Sequence, residues 1–332
     1  MEDNTKNETD CDIDSSVQSL YNFYAAVMIL IFILALPLNA SVIHLFIFKL
    51  KFWKSNTNNV FLFNLVLADI LLLICLPIKA HNFISENRRR SDHDAVCKAM
   101  LFMLFLNRGA SIAFLTVTSI DRYFNVVHPG RKNLLKVLKK SPHISIFIWL
   151  LLLPLTIPTM LKDFECCNSF SNYKNGTLTE DLVDSFRETV FFSQIIIPFI
   201  ILVYCTVRIV NRLRKKTIGD RTKLRRATIL VTTVMVVFSL CFLPCAIARM
   251  VLLIVRDKNV ADSINAAEAA FDGLMVLSYL DCLLDPLVYC FCSTKFKAIY
   301  LSSYFPCLLK GSPVPIDSST GNQAKTARNN VI

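Results

Sequence analysis

Residues 97–123 read CKAMLFMLFLNRGASIAFLTVTSIDRY, and this stretch decides the fold class. Between Lys98 and Asp121 it holds one charged side chain, Arg108, within a largely apolar run. A helix rises about 1.5 Å per residue, so roughly 20 such residues cross the hydrocarbon core of a bilayer. The stretch therefore predicts a membrane-spanning helix with a charge inside it.

Six other stretches have a similar length and character. The predicted spans cover about 22–48, 59–79, 97–121, 143–161, 187–210, 227–255 and 271–292. Only 18% of the 332 residues are charged and 54% are hydrophobic, whereas a soluble domain of this size needs a more charged surface. We predict an all-α membrane protein. Its parts are an N-terminal tail (1–21), a seven-helix bundle (22–292), and a short amphipathic cytoplasmic helix with a C-terminal tail (293–332).

Charge in the short loops predicts the orientation. The third and fifth connections are strongly basic, whereas the N-terminal tail is acidic. Basic loops face the cytoplasm, so we predict a multi-pass plasma-membrane protein with an extracellular N-terminus. Glycosylation sequons at Asn7 and Asn175 lie on the predicted outer side. The net charge of +11 then reflects basic loops beside anionic lipid and not a nucleic-acid surface.

Two arginines inside the spans are candidate ligand anchors. Arg108 lies 11 residues after Cys97, or about 16 Å along the helix, and its register with Arg122 turns it toward the bundle interior. A guanidinium can bind a carboxylate through two parallel hydrogen bonds, which predicts an anchor for an anionic ligand. The alternative is that Arg108 pairs with an acid of another helix. Arg249, near the outer end of the sixth span, is either a second anchor or a side chain that extends to the lipid headgroups.

Acidic side chains inside the spans form a second candidate site. They are Asp69, Asp281 and Asp285. Several carboxylates in one dry space cannot all be ionised without a counter-charge. A sodium ion, a shared proton or Arg108 would each supply one, and Asn107 and Ser111 are the other candidate sodium ligands. The alternative is a polar network that only packs the helices. No other metal and no cofactor is predicted.

The motif Asp121-Arg122-Tyr123 resembles the one that ends the third span of rhodopsin-like G-protein-coupled receptors. Further landmarks agree in order and depth; they are Asn39, Leu67-Ala68-Asp69, Trp149, Pro198, Cys241-Phe242-Leu243-Pro244 and Asp285-Pro286-Leu287-Val288-Tyr289. The resemblance covers about residues 20–305. It implies that these motifs form a switch: Asp121 holds Arg122 at rest, and the sixth span swings outward at Pro244 to admit a heterotrimeric G protein. The Asp285-Pro286 pair is predicted to break the seventh span.

A narrower resemblance concerns the ligand. Residues 103–111 (MLFLNRGAS) look like the hydroxycarboxylic acid receptors, and Ala248-Arg249 looks closer to the related 12-hydroxyeicosatetraenoic acid receptor; the oxoeicosanoid receptor belongs to the same cluster. The resemblance implies a hydroxy fatty acid or a short hydroxycarboxylic acid as ligand, bound by Arg108 with help from Ser169 and Tyr279. It also implies coupling to inhibitory G protein. Asp281 stands where the relatives usually carry Asn and, if ionised, competes with a ligand for Arg108.

Cysteines and tail residues complete the expectations. The resemblance implies a disulfide between Cys97 and the second outer loop, where Cys167 fits the pattern best. Cys166 is then a candidate partner for Cys11. Cys307 is a candidate for palmitoylation, and the polar C-terminal tail is a candidate substrate for receptor kinases and a contact for arrestin.

Other functional classes are less well supported. A peptide or chemokine-type receptor would suit the acidic N-terminal tail, but Arg108 and Arg249 would repel a cationic peptide. A transporter would need inverted repeats or interrupted helix pairs, and the sequence suggests neither. No nucleophile–base or metal constellation is present in the sequence, so no enzyme is predicted.

Overall fold

The computed structural model describes residues 15–49, 57–84, 94–128, 141–157, 178–215, 221–258, 261–292 and 294–304, and the regular elements among them are helical. The helices are α1 (Ser15–His44), α2 (Thr57–Ile84), α3 (Asp94–Val127), α4 (Ser141–Thr156), α5 (Leu178–Lys215), α6 (Arg221–Cys241), α7 (Leu243–Asp257), α8 (Ala261–Ser278), α9 (Asp281–Cys292) and α10 (Thr294–Tyr304). A π-helical turn, Leu45–Lys49, follows α1. The predicted all-α class is confirmed.

Six helical stretches of the described chain are long and apolar enough to cross a membrane. They are Val17–Lys49, Asn59–Ile84, Ala95–Val127, Leu182–Arg214, Leu224–Asp257 and Ser263–Cys290. The predicted fourth span is represented by a shorter apolar helix, Pro142–Thr156. Each predicted span thus coincides with helix, the sixth as α6 with α7 and the seventh as α8 with α9.

Helix α3 lies at the centre of the bundle, in contact with α2, α4, α5 and α6. Large apolar side chains cover the outside of the bundle: Phe147 is 65% exposed, Ile200 61% and Ile247 64%. A water-soluble protein rarely exposes such a surface, whereas lipid is a suitable solvent for it. The polar side chains of α3 therefore have only the bundle interior to face.

The sixth span is interrupted at Phe242, between α6 and α7. Pro244 has no N–H to donate to the carbonyl of Leu240, and its ring crowds that carbonyl. The Phe242 N–H still donates to Phe238 O at 2.9 Å, and the Ala246 N–H donates to Phe242 O at 3.1 Å. The helix is therefore interrupted beside Pro244, and helical hydrogen bonds continue on both sides of the interruption.

The seventh span is interrupted at Tyr279–Leu280, so the predicted break at Asp285-Pro286 is wrong. The N–H groups of Tyr279 and Leu280 each donate at 3.1 Å to a carbonyl three residues earlier, which tightens the end of α8. The Asp281 carboxylate then accepts the N–H of Cys282 at 2.8 Å, where α9 begins.

Helix α9 continues through Pro286 because a neighbouring helix replaces the hydrogen bond that the proline removes. Pro286 leaves the carbonyl of Cys282 without its usual donor. The Asn39 amide of α1 donates to that carbonyl at 2.9 Å. Asn39, a landmark of the sequence comparison, thus joins the first and seventh spans.

Helix α10 lies along the inner end of the first span, in contact with α9 and the π-helical turn. The ring of Phe296 stacks on Phe46 with centroids 5.4 Å apart. The Tyr304 hydroxyl lies 2.9 Å from His44 Nδ1. The helix predicted to follow the seventh span is therefore present.

Several predictions concern residues outside the described ranges. They are the disulfide partners Cys11, Cys166 and Cys167, the ligand contact Ser169, the sequons at Asn7 and Asn175, and Cys307. Cys97 is disulfide-bonded. The pairing of Cys97 with Cys167 stays a prediction. So does the division of the chain into tail, bundle and C-terminal part at residues 21 and 292.

Candidate ligand-binding site

Arg108 is buried where three helices converge, with 6% of its surface exposed. One terminal nitrogen of its guanidinium donates to the Met275 sulfur of α8. The ring of Phe191 on α5 lies 5.4 Å from the guanidinium carbon. These three residues are called the deep layer. The predicted position of Arg108 inside the bundle is thus what the structure shows.

Within the described residues, no acid in contact with Arg108 neutralises its charge. Among the described residues no carboxylate forms an ion pair with it, and its Nη1 has no hydrogen-bond partner there. A thioether is only a weak acceptor, and an aromatic face offers a weaker attraction than a carboxylate. Asp281 acts on Arg108 electrostatically from a greater distance. The alternative that Arg108 pairs with an acid of another helix is therefore not seen in the described part of the chain. The deep layer is suited to bind an anion.

One further polar group lies near Arg108, and another lies beside the adjacent residue Gly109. Tyr279 is buried, its hydroxyl has no partner within the described residues, and the Arg108 charge acts on it. On α5, the Gln194 amide nitrogen also lacks a described partner. A Cβ added to Gly109 would come within 3.3 Å of that nitrogen and 2.8 Å of Leu152, so a glycine gives the amide room beside Arg108. The sequence analysis missed Gln194, whose only signal was a polar residue within an apolar run.

Arg249 is as fully buried as Arg108 but has a counter-ion. Its Nε donates to Glu188 Oε2 at 3.0 Å, and its Nη2 donates to the other oxygen of that carboxylate. The ring of Phe271 on α8 lies 5.4 Å from the guanidinium carbon. These three residues are called the shallow layer. With 2% of its surface exposed, Arg249 does not extend out of the bundle.

Glu188 was not found from the sequence, although it decides the surroundings of Arg249. It is 18% exposed and also lies 3.9 Å from Arg187, which has its own partner Asp184 at 3.2 Å. Its signal was an acid at the margin of the predicted fifth span. Hydropathy alone could not show that Arg249 is the partner of Glu188.

The acidic group lies below the deep layer. Asp69 accepts the Tyr289 hydroxyl at 3.3 Å, and both Asp285 oxygens lack hydrogen-bond partners among the described residues. Asn107 Oδ1 and Ser111 Oγ lack them as well. No three His, Cys, Asp or Glu side chains of the described chain group together as a metal site. A sodium site would therefore need Asn107 and Ser111, and it stays a prediction.

The predicted switch lies at the inner end of α3. Asp121 is 4% exposed and interacts electrostatically with Arg122. The Tyr123 hydroxyl lies 3.3 Å from the Tyr204 hydroxyl of α5 and 3.1 Å from His128 Nε2. The motif therefore links α3 to α5, a contact that the sequence analysis did not predict.

Comparison with known proteins finds a matching family and many similar receptors, three of which are described here. The description "7 transmembrane receptor (rhodopsin family)" fits residues 38–289. Hydroxycarboxylic acid receptor 2 of Rattus norvegicus is 34% identical over 283 residues, which cover 83% of this chain and 77% of the relative. The 12-(S)-hydroxy-5,8,10,14-eicosatetraenoic acid receptor of Mus musculus is 33% identical over 275 residues, covering 81% and 84%. Oxoeicosanoid receptor 1 of Homo sapiens is 28% identical over 301 residues, covering 91% and 77%.

Proposed function

Because the chain belongs to the rhodopsin family of seven-transmembrane receptors, we propose that it is a G-protein-coupled receptor whose ligand is a carboxylate bound by Arg108. The observation that carries the proposal is the buried Arg108 guanidinium, which has no acid in contact among the described residues. A carboxylate would satisfy both the charge and the unused N–H groups. The family resemblance read from the sequence motifs is confirmed.

The surroundings of Arg108 favour a ligand with an apolar part and a hydroxyl group. Phe191 and Met275 offer apolar surface, and the Tyr279 hydroxyl is a partner for a polar substituent. The names of the relatives include both hydroxycarboxylic acids and a hydroxyeicosatetraenoic acid. Our proposal is a hydroxy fatty acid, with a short hydroxycarboxylic acid as the alternative. Ser169 would assist. Arg249, the second anchor considered from the sequence, is already paired with Glu188.

The proposed signal passes from the deep layer to the cytoplasmic side. A carboxylate on Arg108 would draw together α3, α5 and α8, the three helices of that layer. The helix interruption beside Pro244 would let the inner part of the sixth span move relative to its outer part. Movement there would release Arg122 for an inhibitory G protein, with receptor kinases and arrestin as later partners. The receptor would act at the plasma membrane with its N-terminus outside.

Inhibition of cyclic AMP formation tests the proposal. Cells expressing the full chain receive lactate, 3-hydroxybutyrate, 12-hydroxyeicosatetraenoic acid and an oxoeicosanoid, each beside its methyl ester. The Arg108→Ala variant should lose about 100-fold in potency for the active acid, because a charge-assisted bidentate contact is removed. Arg256→Ala is the matched control, since Arg256 pairs with Glu268 and is 23% exposed. Energy-transfer sensors for each G-protein class, tested in turn, identify the coupling partner.

Three outcomes would count against the proposal. Equal potency of acid and ester would show that no carboxylate is recognised. Unchanged potency of the active acid on Arg108→Ala would assign Arg108 a structural role. A response to basic peptides, with none to any acid, would favour the peptide-receptor alternative.

A further inference from the structure

The deep and shallow layers are stacked one helical turn apart. Phe191 and Glu188 are three residues apart on α5, and Met275 and Phe271 are four residues apart on α8. These separations correspond to about 4.5 Å and 6 Å along the helix axes. Both helices run inward from the predicted outer end, so the shallow layer lies between that end and Arg108. The two guanidinium groups therefore lie at successive depths of one interior.

The shallow layer is already filled by an anion from the protein itself. Glu188 takes two donors of Arg249, its Nε and Nη2. Beside the shallow layer, Arg187 lies 3.2 Å from Asp184 and 3.9 Å from Glu188. The deep layer holds one cation without a contacting acid among the described residues. Of these two guanidinium groups, Arg108 is the one that the described part of the chain leaves without a contacting acid, which gives one binding position for an acid group.

We propose that Glu188 is a specificity-determining residue that restricts the receptor to ligands with a single acid group, because its carboxylate occupies Arg249 one turn above Arg108. This inference rests on the proposed role of Arg108 as carboxylate anchor. A ligand with a second acid group would bring that group against the Glu188 oxygens, where like charges repel. Removing the Glu188 charge leaves two cations one turn apart, which suits a dicarboxylate. Arg249 then acts on the natural ligand indirectly, by neutralising Glu188.

Thermal unfolding of the purified full-length receptor in detergent tests the inference directly. The probes are adipate and its monomethyl ester, which share one skeleton and differ by one acid group; succinate and glutarate vary the spacing. The wild-type receptor should bind the monoester at least about tenfold more tightly than the diacid, and Glu188→Gln should reverse this order. Asp184→Asn is the matched control, because it removes a neighbouring acid that pairs with Arg187. Wild-type preference for adipate, or an unchanged order in Glu188→Gln, overturns the inference.

A double-substitution series separates the indirect role of Arg249 from direct ligand binding. Arg249→Gln alone leaves the Glu188 charge uncompensated above Arg108, so monoacid potency in the cyclic AMP assay should fall by about tenfold. Glu188→Gln with Arg249→Gln removes both charges and should restore potency to within about threefold of wild type. This neutral pair also serves if the single variants do not reach the cell surface. Equal losses in the single and double variants would make Arg249 a direct anchor and overturn the inference.

Failure of this inference is distinguishable from failure of the proposed function. If a monoacid signals through Arg108 while Glu188→Gln keeps the wild-type order of affinity for adipate and its monoester, only the specificity role of Glu188 is wrong. If Arg108→Ala leaves monoacid potency unchanged, the role of Arg108 as carboxylate anchor is wrong. The specificity role of Glu188, which depends on that anchor, is then wrong as well.

Discussion

Arg108 and Arg249 are two buried guanidinium groups with nearly the same apolar surroundings and opposite electrostatic situations. Each lies 5.4 Å from the ring of a phenylalanine, and each is at least nine-tenths buried. Glu188 neutralises Arg249, whereas the contacts of Arg108 within the described chain are a sulfur and a ring and include no acid. Burial of an unneutralised charge costs free energy, so the difference teaches that the deep layer gives up stability to remain available for a ligand.

Removing the counter-ion of Arg249 should have the largest effect on stability. Glu188→Ala leaves a cation buried without its main partner, which should lower the free energy of unfolding by about 3–5 kcal/mol. Replacing both residues by apolar ones, as Glu188→Leu with Arg249→Met, should recover most of that loss. Thermal unfolding of the purified receptor without ligand measures both. A double variant as unstable as the single one would show that Arg249 holds the helices by contacts other than this ion pair.

Removing Arg108 should change the free energy of unfolding in the opposite direction. Arg108→Met should raise the free energy of unfolding by about 1–2 kcal/mol while abolishing the response to carboxylates, since it replaces a buried cation with an apolar side chain. The same unfolding measurement, with the cyclic AMP assay beside it, checks both parts. A loss of stability as large as that of Glu188→Ala would instead identify Arg108 as the structural counter-ion of Asp281.

The phenylalanines should differ in a smaller but parallel way. Phe191→Leu removes the cation–π contact of Arg108, and it should weaken binding of the active acid by about 0.5–1 kcal/mol. Phe271→Leu is the matched control and should change potency less than twofold, because a carboxylate orients Arg249. Concentration–response curves for one monoacid measure both. Equal changes in potency for the two variants would show that the rings of Phe191 and Phe271 contribute alike to ligand binding.

The contact between Arg108 and Met275 should contribute least. Met275→Leu keeps the volume and removes a weak sulfur acceptor, so the free energy of unfolding should change by less than about 0.5 kcal/mol. Thermal unfolding again provides the measurement. A substantially larger loss would mean that the sulfur is a significant partner of the charge.

The sequence predicted the helices well and their partners poorly. Long apolar runs located every span, because the thickness of the hydrocarbon sets their length. The depth of Arg108 followed from counting residues along one helix. The pairing of Arg249 with Glu188 did not, because it depends on how α5 and α7 are rotated toward each other. Glu188 was also at the edge of a predicted span that began at residue 187, whereas α5 begins at Leu178.

The break in the seventh span shows a second limit of sequence reasoning. Pro286 predicts a break by its own chemistry, and a single helix considered alone would obey it. Asn39 removes the reason for the break from a position almost 250 residues away in the chain. The interruption appears instead at Tyr279–Leu280, near the predicted ligand contact Tyr279. Tertiary hydrogen bonds of this kind cannot be read from one segment.

The carbonyl groups freed by the two prolines, Pro286 and Pro244, differ in whether a side chain bonds them. Asn39 bonds the carbonyl that Pro286 frees, so the first and seventh spans are fastened together at that depth. Within the described chain, no side chain donates to Leu240, whose carbonyl Pro244 frees. We therefore expect the sixth span to act as a lever and the first and seventh spans as the stationary frame. A ligand would then need to supply only the energy that bends one helix, and the rest of the bundle would stay rigid enough to pass that bend to the cytoplasm.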